Sequence, residues 1–90
     1  MELPVAGRGG VPGSAVSVVL NVTAVSPSGD GYLTVFPCGE AQPNTSNVNY
    51  VAGQVVPNAV IAKVGAGGSV CIYTYAETEL LVDVAASFQA

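Results

Sequence analysis

Ala15-Val-Ser-Val-Val-Leu-Asn-Val-Thr-Ala-Val25 is the stretch whose reading decides the fold. Val16, Val18, Leu20, Val22 and Ala24 fall on one side of an extended chain, with Ser17, Asn21 and Thr23 on the other. Side chains alternate across a strand with a period of two, so this pattern predicts a strand with one face in a core and the other in water. Val19 is the apolar exception on the polar side. Branching at Cβ restricts Val in a helix and suits it to a pleated sheet.

Working outward, turn residues bound this strand on both sides. Arg8-Gly-Gly-Val-Pro-Gly-Ser14 precedes it and Ser26-Pro-Ser-Gly-Asp-Gly31 follows it, and Gly, Pro, Asn, Asp and Ser each favour turn geometry. The same punctuation divides the rest of the chain. Strands are predicted at Leu3–Ala6, Tyr32–Phe36, Thr45–Ala52, Val55–Val64, Ser69–Tyr75 and Thr78–Phe88. Pro57 cannot donate to a ladder, which places its strand at an edge or bulge. Gly53-Gln54 is compatible with a tight turn, Gly65-Ala-Gly-Gly68 reads as a hairpin loop, and Ala76-Glu77 turns into the last strand. There Leu80, Val82, Val84, Ala86 and Phe88 are expected to share one face. Short strands at such regular spacing argue a sandwich or small barrel, and the expected fold is all-β: an antiparallel β-sandwich of about seven strands. No segment carries a helical stripe and no repeat or linker divides the chain, so residues 1–90 are expected to form a single domain.

Composition narrows the function classes. Half the residues are hydrophobic and 9% are charged, with a net charge of −4 and only Arg8 and Lys63 basic. Nucleic-acid binding needs a basic footprint to displace phosphate counterions, so no nucleic-acid partner is expected. Attachment to anionic lipid fails on the same ground, and no apolar run approaches the ~20 residues of a spanning helix, so no membrane is expected. Met1-Glu2-Leu3 leads straight into a turn-rich segment without a leader pattern. An exported protein of this kind is therefore expected to be a piece of a longer precursor.

The chain has no His, which removes the usual general base near neutrality and the Ser/His and Cys/His nucleophile pairs. Lys63 sits on an alternating strand and reads as solvent-facing. Glu2, Asp30, Glu40, Glu77 and Glu79 lie in or beside predicted loops with no spacing that selects a catalytic pair. No enzyme activity, metal or cofactor is expected. Cys38 and Cys71 are an even count in a small, charge-poor domain. That points to a disulfide, with two buried free thiols as the alternative. Without His, two cysteines do not complete a zinc shell unless carboxylates join them.

The most unusual composition runs from Gln42 to Asn58, where amides and hydroxyls gather without a charge. Asn44, Asn47, Asn49, Tyr50, Gln54 and Asn58 are the candidate ligand-binding residues there, because amides pair with sugar hydroxyls and an aromatic face stacks on a sugar's C–H surface. The competing reading is that these Asn serve turns and local backbone. Tyr32, Tyr73 and Tyr75 are further platforms, Tyr73 and Tyr75 sharing a strand face with Cys71. Asp83 lies mid-strand on the side away from the core; it reads first as an outward residue of a half-exposed strand, and alternatively as one that orients a ligand hydroxyl or helps hold Ca²⁺, although no run of alternating acidic oxygens accompanies it. The low charge also leaves few guards on strand edges, so the alternative to a glycan-binding module is a structural domain that self-assembles as a homo-oligomer or fibre subunit.

Several strings together resemble a known module. They are Val5-Ala-Gly-Arg-Gly-Gly-Val-Pro12, Val18-Val-Leu-Asn-Val-Thr-Ala24, Gly31-Tyr-Leu-Thr-Val-Phe-Pro-Cys-Gly39, Pro43-Asn-Thr-Ser-Asn-Val-Asn49, Ala52-Gly-Gln54, Val64-Gly-Ala-Gly-Gly68, Val70-Cys-Ile-Tyr73 and Val82-Asp-Val-Ala85. In order and over nearly the whole chain, they look like an accessory module that recurs in secreted actinobacterial proteins, single or in tandem beside hydrolases and cell-wall-associated domains. The resemblance implies secretion or a cell-surface location and a Cys38–Cys71 pair, but no defined activity. The module usually closes in Gly-Tyr-Phe, where this chain has Ala86-Ser87-Phe88. The partner expected on all these grounds is a polysaccharide or cell-wall glycan.

Overall fold

The computed structural model describes residues 1–44 and 46–89. Seven strands form two antiparallel sheets: β1 (Glu2–Pro4), β2 (Ala15–Val25), β3 (Gly31–Pro37), β4 (Val48–Tyr50), β5 (Val55–Lys63), β6 (Ser69–Thr74) and β7 (Glu79–Gln89). Sheet A has the order β1-β6-β3-β4 and sheet B the order β5-β2-β7. The expected β-sandwich is therefore the fold, and Cys38 and Cys71 are joined as a disulfide with Cα atoms 5.0 Å apart.

β2 is the central strand of sheet B, paired along its length with β5 and β7. Its alternation does what the sequence predicts over most of its course: Val18, Leu20, Val22 and Ala24 are fully buried. Against them sheet A turns Leu33, Val35, Val48, Tyr50, Val70 and Ile72, and β5 adds Val60 and Ala62. Small β-branched side chains pack this core, and no buried side-chain polar atom among the described residues lacks a hydrogen-bond partner.

Two register breaks depart from strict alternation. The first lies between Ala15 and Ser17, where Val16 is the extra residue on β2. Ala15 turns inward and Val16 outward, so Val16 does not share the core face expected of it. The second lies between Val19 and Leu20, where β7 carries Ala85 as an extra residue. Before it, Leu80 and Val82 face inward beside Ala24 and Val22; after it, Ala86 and Phe88 stand beside Val19 and Ser17 on the outer face. The single face expected for Leu80 through Phe88 is thus split, because one inserted residue reverses the side of every residue beyond it.

The turns also differ in what they connect. Gly65 to Gly68 was expected to close a hairpin, yet β5 and β6 belong to different sheets. A 3-10 turn at Ala66–Gly68 carries the chain across the sandwich, with Gly67 and Gly68 at positive φ. Gly65 passes so close to the Cys38 backbone that a Cβ has no room, and Ala66 N donates to Cys38 O at 2.7 Å. The Gly53-Gln54 and Ala76-Glu77 connections likewise change sheets. Such turn residues permit a reversal but do not choose the partner strand; burial of the inner face chooses it. The other predicted strands stand with shifted ends. β1 starts one residue and ends two residues earlier than the expected Leu3–Ala6, and β4 keeps only the middle of the expected Thr45–Ala52. Thr45 itself lies outside the described residues.

Candidate functional site

β3 and β6 are neighbours in sheet A, with Thr34 opposite Tyr73 and Phe36 opposite Cys71. Alternation sends Leu33 and Val35 inward and puts Tyr32, Thr34 and Phe36 on the outer face, where Thr34 is nonetheless fully buried. On β6 the same rule buries Val70 and Ile72 and turns Cys71 and Tyr73 outward. Tyr75 follows, with its N–H donating to Tyr32 O at 2.9 Å, which extends the ladder by one pair. The outcome is three tyrosines gathered on the outer face of sheet A. The Tyr32 and Tyr75 rings stack with centroids 5.5 Å apart and planes at 17°, and Tyr73 lies 6.1 Å from Tyr32 at 49°. Tyr75 is the most open of the three, at 66% exposed.

A loop borders this cluster. The disulfide anchors it to the outer face at Cys38, and Asn47 anchors its other end. Asn47 N donates to Leu33 O at 2.9 Å, and Asn47 Oδ1 accepts from Val35 N at 2.6 Å. The side chain thus takes over the ladder where β4 parts from β3, which explains why β4 begins only at Val48. Between its anchors the loop and Tyr32 form a cleft of about 270 Å³ lined by Tyr32, Gln42, Pro43, Asn44 and Ser46. No charged residue lines it. Asn49 stands opposite Tyr32 in the register of β3 and β4, exposed on the same outer face.

The candidate residues divide accordingly. Asn44 and Asn49 are exposed beside the tyrosines, and Asn47 is their structural anchor. Tyr50 turns inward and is 4% exposed. Its hydroxyl donates to Ala76 O at 2.6 Å and accepts from Ala76 N at 3.1 Å. Gly31 sits opposite it, and a Cβ there would stand 3.2 Å from the Tyr50 ring. The Tyr50 ring therefore offers no face to solvent. Asn58 donates through Nδ2 to Asn47 O at 2.8 Å, a stitch from β5 to the loop of the other sheet. Gln54 is exposed in the β4–β5 connection, where its carbonyl accepts from Ser26 N at 2.9 Å. Asp83 is exposed on the outer face of sheet B beside Asn21, away from the tyrosines.

Alternation alone puts Tyr73 and Tyr75 on one face, whereas Tyr32 joins them only because β3 pairs with β6. The inward turn of Tyr50 does carry a signal in the sequence: Val48 and Tyr50 are two apart, and an apolar residue at that spacing marks an inward row. The exposed amides, hydroxyls and tyrosines make up a neutral surface with stacking faces and paired donors and acceptors. Among the described residues, no three His, Cys, Asp or Glu side chains gather to hold a metal ion. Comparison with protein-family models, curated proteins and solved structures finds no match for this chain.

Proposed function

We propose that the chain is an extracellular binding module, non-catalytic, whose contact surface is the outer face of sheet A and whose ligand is an uncharged polysaccharide or cell-wall glycan. The observation that carries this reading is the Tyr32–Tyr73–Tyr75 cluster beside a cleft lined by Gln42, Asn44 and Ser46. Aromatic faces take the C–H side of a pyranose, and neutral amides meet its hydroxyls in donor–acceptor pairs. The charge pattern favours a neutral ligand. Lys63 belongs to sheet B, and Arg8 lines a cleft beside β7. Neither lines the tyrosine cleft to hold a phosphate or carboxylate. Secretion fits the disulfide, which persists in oxidising compartments.

The test is retention of the oxidised protein on a panel of insoluble polysaccharides and bacterial cell walls. Retention on one polymer, competed by its soluble oligomer, is expected. Absence of retention on every polymer would sink the proposal.

A further inference from the structure

Sheet edges expose unpaired backbone donors and acceptors, and folded proteins ordinarily blunt them with short strands, Pro, Lys or covering loops. The sandwich has four edges, and three are blunted. β1 and β4 are three residues each. β5 contains Pro57 and ends in Lys63. β7 is the least guarded of the four: it has eleven residues with neither Pro nor Lys, only Glu79 and Asp83 as charges, and a bulge at Ala85 that leaves residues 79–85 as a regular stretch.

The row of side chains that β7 turns inward is also incompletely covered. Leu80 and Val82 are half-buried, and Val84 is 41% exposed although its partner Leu20 is fully buried. The short β1 ends at Pro4 and leaves this row overhanging. A cleft of about 220 Å³ runs there, lined by Leu3, Val5, Arg8, Val82 and Val84 among others.

We propose that a second copy of the chain pairs along this edge, β7 to β7 and antiparallel, about a two-fold axis through Val82. The strand is its own complement in that register. Val82 meets Val82, and Leu80 meets Val84, so every inner pair is apolar. Leu81 meets Asp83 and Glu79 meets Ala85 on the outer side, so no acid faces an acid. Moving the centre by one residue destroys this. Centred on Leu81, Glu79 faces Asp83; centred on Asp83, that carboxylate faces its own copy. Like charges directly opposite on paired strands are destabilising. The paired span, residues 79–85, ends where Ala85 breaks the register with β2. Arg8 lines the same cleft, as does Asp83 of its own copy.

The pairing joins two three-stranded sheets into one of six strands. A two-fold axis perpendicular to that sheet keeps both tyrosine clusters on the same side of the assembly. Two such clusters facing one polymer surface gain by effective concentration, with no new contact to the ligand. The pairing itself does not depend on the glycan reading.

Sedimentation velocity of the oxidised full chain without glycan, from micromolar to millimolar concentration, is the test, with hydrogen exchange measured at both ends of the range. A rise from one chain mass to two is expected. Alternate amides of β7 should slow at least tenfold across that rise while those of β5 stay unchanged. Val82→Cys should give a symmetric covalent dimer and Ile61→Cys should not, because directly opposed Cβ atoms, about 4.5–5.5 Å apart, need only a small approach to reach the roughly 3.5–4.5 Å of a disulfide. Exchange is read on the unaltered chain, so a poorly folding cysteine variant does not decide the matter. A single chain mass throughout overturns the proposal. So does a doubling that leaves β7 exchange untouched, which would place the association on another surface. An open series of larger masses overturns the two-fold closure.

Discussion

Two tyrosines two strands apart illustrate how position decides what a side chain does. Tyr50 has its ring in the core and both hydrogen-bonding capacities of its hydroxyl engaged by the Ala76 backbone. Tyr75 stacks on Tyr32 and is otherwise open. Tyr50→Phe keeps the ring but leaves Ala76 without that partner, and is expected to lower stability by about 1–3 kcal/mol. Urea denaturation of the purified variant measures this, and an unchanged midpoint would refute the structural role. Tyr75→Ala should cost stability no more than about 1.5 kcal/mol, the worth of one aromatic pair, while weakening glycan retention at least tenfold. Asn47→Ala belongs with Tyr50: it removes the acceptor for Val35 N and should destabilise by about 1–3 kcal/mol. The sequence identified amides and aromatics as a class. It did not separate those engaged within the fold from those left for a ligand, because that division is made by partners distant in the chain. Asn47 reaches 12 residues back to Val35, and Tyr50 reaches 26 forward to Ala76.

Among the elements, the strands were largely legible and their connections were not. The bounds of β2 follow from alternation alone, and those of β3, β5 and β6 follow to within a residue or two. The inserted residues Val16 and Ala85 carry no such signal: Val and Ala are ordinary strand residues, and only the partner strand reveals that one is extra. The β5–β6 connection is a similar case. Its glycines announce a turn, but its purpose is a close crossing over Cys38. Gly65→Ala would drive a methyl group into the Cys38 backbone and is expected to cost at least about 2 kcal/mol. A urea midpoint equal to that of the unaltered chain would show that the crossing is looser than described.

The whole molecule is a thin sandwich of small side chains, and a chain of this length has little stability to spare. The disulfide closes a loop of sequence separation 33. In the chain-entropy model it contributes roughly 3–4 kcal/mol. Reduction should therefore lower the melting temperature by roughly 15–30 °C, at about 4–8 °C per kcal/mol for a domain this small. Calorimetry of oxidised and reduced protein checks this, and equal transitions would remove the disulfide from the account. The disulfide also anchors the loop that borders the tyrosines, so reduced protein should lose glycan retention even at temperatures where it remains folded. At this scale the low charge, the missing His and the even cysteine count could all be read from the sequence. The tyrosine surface could not, because it exists only once β3 and β6 lie side by side.

On the proposed function, the outer face of sheet A meets a neutral glycan. Amide and aromatic chemical shifts of the oxidised protein, followed during titration with soluble cello- and chito-oligosaccharides, test it most directly. Saturable shifts confined to Tyr32, Tyr73, Tyr75, Asn49 and the loop residues Gln42, Asn44 and Ser46 are the expected result. Saturable shifts on sheet B alone, or none with any oligosaccharide, would contradict it.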